Sequence, residues 1–191
     1  MLLRYGMKEI VKKILADPRY QKNIEHGEPR SGHPEGRVKF HITELEENLN
    51  TLTSLGISEE DYWKLRFLVH VHDSFKAEAV PNVPILHPRS HASLAREYAS
   101  QFTADSDLLN IIQFHDENYA LWIQFSRTGS YDNQRFNKLL ELIKNWDLFL
   151  IFLIIDGCTS GKEPSKLVWF INEVRKYKKT VVDESWMLSR G

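Results

Sequence analysis

Six residues of metal-ligating type are spread along this chain: His41, His72, Asp73, His91, His115 and Asp156. Each falls on, or at the end of, an apolar stripe with helical spacing. His41 shares its stripe with Val38, Leu45, Leu49 and Leu52. His72 follows Tyr62, Leu65 and Val69, and Asp73 comes directly after it. His91 leads Leu94, Ala95, Tyr98 and Phe102, whereas His115 closes Leu108, Ile111 and Ile112. Asp156 ends the apolar octet Leu148 to Ile155. Imidazole and carboxylate groups in such settings cost free energy unless something pairs with them. One histidine on an apolar face is ordinary core. Four histidines and two aspartates together demand partners. Neutral imidazoles and carboxylates suit divalent Fe, Mn, Co, Ni or Zn. The set exceeds what one ion needs, and two ions sharing a bridging carboxylate would use all of it.

The elements that must carry these residues can be read from periodicity and turn chemistry. A first helix is expected over Met7 to Ala16, ended by Asp17-Pro18. Tyr20 to Gly36, rich in glycine and proline, is expected to be a loop. Val38 to Leu55 reads as a helix stopped by Gly56. Ser58-Glu59-Glu60-Asp61 opens the helix that leads to His72. Ala79 to Pro88 is broken by Pro81, Pro84 and Pro88, and Ser90 starts the helix of His91. Asp105 starts that of His115, and Glu117 to Phe125 continues after a bend. Arg127 to Asn133 is a loop. One long helix is expected from Gln134 to Ile155, with its last octet apolar on every side and therefore central, although that octet alone would also suit a buried strand. A final amphipathic helix covers Pro164 to Tyr177. The reading is all-α, with six to eight helices in a single domain over 1–191, a core of about 32–177 and a loosely packed tail over 178–191.

Composition narrows the classes. With 191 residues the chain can bury a sizeable core. A formal net charge of −1 calls for neither bulk nucleic acid nor an acidic membrane as partner. Its longest apolar run falls well short of the roughly 20 residues that span a bilayer. The N-terminus, Met1-Leu2-Leu3-Arg4, lacks the apolar core of a signal peptide. Cys158 is the one cysteine, so no intrachain disulfide forms and a reducing compartment fits. A cytoplasmic protein is expected.

The ordered set His41, His72-Asp73, His91, His115, Asp156 resembles that of the HD-domain superfamily of metal-dependent phosphohydrolases. His72-Asp73-Ser74-Phe75-Lys76 is similar to the family's HDxxK signature, and Gly32-His33-Pro34-Glu35-Gly36 with His41 is similar to the HPEG…H segment of some members. The resemblance covers about Gly32 to Lys162. It implies an HD-type helical bundle with a metal site in its core. One divalent ion would be held by His41, His72, Asp73 and Asp156, and a second by His91 and His115, with Asp73 as the bridge. It further implies hydrolysis of a phosphomonoester or phosphodiester, a nucleotide among the candidates, by a metal-bridging water. Asp73 and Lys76 would be the catalytic residues, with Lys76 neutralising transition-state charge. The same ligands serve an alternative, a di-iron oxygenase resembling myo-inositol oxygenase. A non-catalytic metal- or nucleotide-binding HD module is the third reading.

Other residues carry weaker signals. Lys76 is otherwise a solvated lysine at a helix end. His33 stands at the mouth of the site or caps its loop. His87, Arg89, Arg127 and Lys162 are candidate substrate or phosphate contacts on loops, and ordinary surface groups otherwise. Asp116 either orients His115 from outside the ligand set or ends the helix. His70, two residues before His72, points elsewhere, and His26 is expected at the surface. Gly157 to Glu163 lacks the glycine spacing and the hydroxyl of a Walker A loop.

Overall fold

The computed structural model describes residues 6–188. Among them are ten α-helices: α1 (Met7–Leu15), α2 (Pro18–Asn23), α3 (Val38–Leu52), α4 (Glu59–Val71), α5 (His91–Ser100), α6 (Ser106–Phe114), α7 (Glu117–Thr128), α8 (Asn133–Leu142), α9 (Trp146–Gly157) and α10 (Ser165–Arg175). No strand occurs among the described residues. The expected all-α class therefore holds.

Helix α9 is the centre. Every residue from Leu148 to Ile155 is buried, and α3, α4 and α10 pack around it. Burying each of those large apolar side chains stabilises the fold by roughly 1.5–3 kcal/mol. At its C-terminus, Asn48 of α3 donates from Nδ2 to the carbonyls of Ile155 (2.8 Å) and Cys158 (3.1 Å). These bonds cap the last turn and fix the height at which Asp156 leaves the core. Helix α4 starts as its sequence dictates, with Ser58 accepting from the Asp61 N–H and three acids in the first turn.

Three expectations are corrected. The stretch after Asp17-Pro18 is helical rather than loop up to Asn23: Asp17 accepts from the N–H groups of Arg19 and Tyr20, and Pro18 occupies the first helical position. The pair that reads as a stop is also a start. The long helix over Gln134 to Ile155 is two helices. Ile143 is extended, and the N–H groups of Lys144 and Asn145 donate to Asp107, each at 2.8 Å. Asn145 then caps α9. That break depends on a tertiary contact with α6, which periodicity along one segment cannot reveal. The tail is anchored rather than loose as far as it is described: Val182 is fully buried, Thr180 and Val181 bond to Asp147, and Asn172 bonds to Glu184. Residues 189–191 of that tail lie outside the described residues.

Candidate metal centre

Five helices bring the six sequence-identified candidate ligands to one place. His41 comes from the buried face of α3, His72 and Asp73 from the end of α4, His91 from the first residue of α5, His115 from the end of α6, and Asp156 from the end of α9. His91 is set by Ser90, which accepts from the Ser93 N–H and donates to the Ile85 carbonyl. All six sequence-identified positions meet around Asp73.

Asp73 presents its two oxygens to different partners. Oδ2 lies 3.6 Å from His72 Nε2, and Oδ1 lies 3.6 Å from His91 Nε2 and 3.5 Å from His115 Nε2. His41 Nε2 is 2.9 Å from Asp156 Oδ1, which is 3.8 Å from His72 Nε2. His91 and His115 approach within 3.3 Å, Nε2 to Nε2. Spacings between about 3 and 4 Å are those of donors arranged around one ion with bonds near 2.0–2.2 Å. Ligating atoms of His41, His72 and Asp73 form one compact group, and those of Asp73, His91 and His115 another.

The tautomers agree with this reading. His72 Nδ1 is 3.1 Å from the Leu68 carbonyl and His115 Nδ1 is 2.8 Å from the Ile112 carbonyl. A carbonyl only accepts, so in both rings Nδ1 carries the proton and donates it. Nε2 of the neutral His72 ring therefore presents a lone pair. His72 Nε2 and Asp73 Oδ1 are buried polar atoms without a hydrogen-bond partner, a costly arrangement that a cation would relieve.

Electrostatics point the same way. Burial drives the His72 imidazole down to about 3, against the pull of Asp73, so the ring stays neutral. Burial also opposes charge on His115, but the Asp116 and Asp73 carboxylates outweigh it and lift that ring to about 9. A negative field strong enough to hold a proton at Nε2 also favours a metal ion there. Asp73 and Asp156 are held well below the usual carboxylate range despite burial, Asp73 chiefly by Lys76 and Asp156 chiefly by Lys162. Lys76 Nζ sits on Asp73 Oδ2, and Lys162 Nζ lies 2.9 Å from Asp156 Oδ1.

The centre opens into a cavity of about 870 Å³. His33, Asp73, Lys76, His91, Asp116 and Asp156 line it, joined by Arg30, Lys162 and Lys166. Lys76 is thus a wall residue facing the cavity rather than a solvated helix end. His26 is exposed at the rim. Three proposed substrate contacts are not brought to the site. His87 is exposed and accepts through Nδ1 from the Arg89 N–H, Arg89 is exposed beside it, and neither lines the cavity. Arg127 lies in the last turn of α7 and lines a separate depression. Proline turns aim His87 and Arg89 outward, a direction that loop sequence does not encode. His70, as expected, is a core group rather than a ligand, held between the Tyr20 hydroxyl (2.6 Å) and Glu46 (2.8 Å).

One residue was missed. Glu35, inside the His33-Pro34-Glu35-Gly36 segment, places Oε1 2.8 Å from His33 Nδ1 and 3.2 Å from His41 Nδ1. It faces the nitrogen of His41 opposite the one directed at Asp156, the usual position of a carboxylate that orients a metal-binding histidine. Burial pushes the Glu35 carboxyl up, but the bonds from His41 and His33 more than offset this and hold it at about 2. The loop is seated by Gly36, whose φ of +76° suits glycine and whose missing Cβ would stand 2.8 Å from Pro29 Cδ. Its start is pinned by the N-terminus of α3, where the Val38 and Lys39 N–H groups donate to the carbonyls of His26 and Ile24 (2.9 Å each). Glu35 stands inside the His33-Pro34-Glu35-Gly36 motif, but a loop without periodicity does not show which way its carboxylate points, and that needs the fold to be seen.

No protein-family model, curated protein or solved structure matches this chain. The functional reading therefore rests on the geometry and on the sequence motif.

Proposed function

We propose that this protein is a metal-dependent phosphohydrolase acting on a small phosphoester. His41, His72, Asp73 and Asp156 would hold one divalent ion, and Asp73, His91 and His115 a second. The observation that carries the reading is the division of Asp73, with Oδ2 toward His72 and Oδ1 toward His91 and His115. Ions held there supply Lewis acidity and a water of lowered pKa.

The chain's own residues account for the rest. Lys76 and Lys162 reach the carboxylates from the cavity side and have ammonium groups placed to contact phosphate oxygens. Arg30 and Lys166 extend the basic wall outward. Burial and the Lys162 charge lower the Lys166 ammonium below its ordinary value, as expected for cations crowded round a site meant for an anion. This wall favours a phosphoester over the neutral polyol that a myo-inositol oxygenase-like site would take. His72, Phe152 and the apolar face of α9 close the inner end against bulk water.

The test is reconstitution. Protein stripped with chelator and reloaded separately with Mn(II), Co(II), Ni(II), Zn(II) or Fe(II) is assayed on chromogenic phosphomonoesters and phosphodiesters, with and without oxygen. Hydrolysis that appears with metal and ignores oxygen is expected. No turnover with any ion, or turnover only with oxygen consumption, would overturn the proposal.

A further inference from the structure

We propose that Asp116 is itself a metal ligand, completing a second site composed of Asp73, His91, His115 and Asp116. The inference rests on the binuclear reading above and extends it.

Asp116 follows His115 as Asp73 follows His72, so the chain carries two His-Asp pairs. Both sit at the same structural position. His72 is the C-cap of α4 and His115 the C-cap of α6. Each histidine donates Nδ1–H to a carbonyl three or four residues back in its own helix and turns Nε2 outward. The aspartate that follows then projects beside the Nε2 atoms.

Three observations separate a ligand role from the alternatives. First, Asp116 Oδ2 lies 3.2 Å from His91 Nε2 and 3.7 Å from His115 Nε2. These are the ligating nitrogens. A residue that orients His115 from outside would have to reach Nδ1, and Nδ1 is already bonded to Ile112. Second, Asp116 occupies the N-cap position of α7, where aspartate normally accepts from the first free N–H groups. Its side chain makes no such bond. Giving up a cap weakens the helix start, so the carboxylate turns toward the histidines at a cost. Third, Asp73 Oδ1, buried and without a hydrogen-bond partner, points into the same group of atoms.

The consequence is a balanced pair of sites. His41, His72, Asp73 and Asp156 give two imidazoles and two carboxylates; Asp73, His91, His115 and Asp116 give the same. Asp73 is shared. The two ions would then bind with comparable affinity rather than as one tight and one weak equivalent.

Asp116→Asn and Asp116→Ser test this, the second retaining an oxygen able to cap α7 and so separating loss of a ligand from loss of helix stability. Each purified variant is titrated with Mn(II) and Co(II) by calorimetry, and bound metal is counted after desalting. Wild type is expected to hold two equivalents. Both variants should keep one at wild-type affinity and bind the other at least tenfold more weakly, with one set of Co(II) absorption bands lost. Two equivalents of unchanged affinity in both variants would overturn the assignment, as would loss of both equivalents from a variant with wild-type circular dichroism. A wild type that binds no divalent ion would refute the metal centre itself, a different outcome from either.

Discussion

Replacing Glu35 with glutamine isolates what the hidden carboxylate contributes. Its Oε1 is hydrogen-bonded to His33 Nδ1 at 2.8 Å and lies 3.2 Å from His41 Nδ1 as an ion pair, and its side chain is 4% exposed. A carboxyl held near 2 rather than at its ordinary 4.5 contributes about 3 kcal/mol of stability at neutral pH. Bonds to charged groups are independently worth about 1.5–3 kcal/mol. Glutamine keeps one accepting oxygen but loses the charge, and it puts an amide where Oε2 is buried without a partner. A loss of about 2 kcal/mol follows, read by urea unfolding in the presence of chelator. The folded-state pKa is depressed, so the contribution is full above about pH 4.5 and lost as pH falls toward 2. The gap between wild type and Glu35→Gln should therefore be wide at pH 7 and narrow at pH 3. In the metal titration, the site containing His41 should weaken by about 10–100-fold, the usual effect of removing a carboxylate behind a ligating histidine. The site containing His91 should be unchanged. Equal unfolding midpoints at pH 7, or equal weakening at both sites, would refute the assigned role.

Further expectations follow from the same geometry. Asp73→Asn should weaken both ions and reduce turnover by more than the roughly 100-fold typical of residues behind the ligands, as metal counting and phosphoester assays would show. Gly157→Ala should destabilise by about 1–3 kcal/mol, because a Cβ there would stand 2.4 Å from Leu167 Cδ1 where α9 meets α10; a thermal melt reads it. His87→Ala, Arg89→Ala and Arg127→Ala should leave kcat/KM within about twofold of wild type, as exposed side chains away from the cavity normally do.

The cluster of buried histidines and aspartates was legible in the sequence because helical periodicity reports which face of a helix is buried. A histidine on a buried face stands out against leucine and isoleucine, as His41 and His115 do. Serine and aspartate caps also gave the starts of α4, α5 and α6. What stayed hidden depends on contacts between distant segments. The break before α9 comes from Asp107, 38 residues from Asn145 in the chain. Glu35 sits in a loop without period, and its role is set by the position of His41. Asp116 was visible as a residue, but its direction was not, because nothing in the sequence says that a carboxylate at a helix start turns away from the helix. His87 and Arg89 lie away from the cavity for the same reason, since the direction of a loop side chain is set by turns and packing rather than by residue type, whereas Arg127 lies away because α7 runs on to Thr128 and carries it to another face.

In the proposed function Asp73 bridges two metal ions. Electron paramagnetic resonance of protein loaded with two equivalents of Mn(II) tests it most directly, since two ions sharing one carboxylate are exchange-coupled. A coupled-pair spectrum is expected from the wild type. A spectrum of isolated Mn(II) ions at full loading, or retention of only one equivalent, would contradict it.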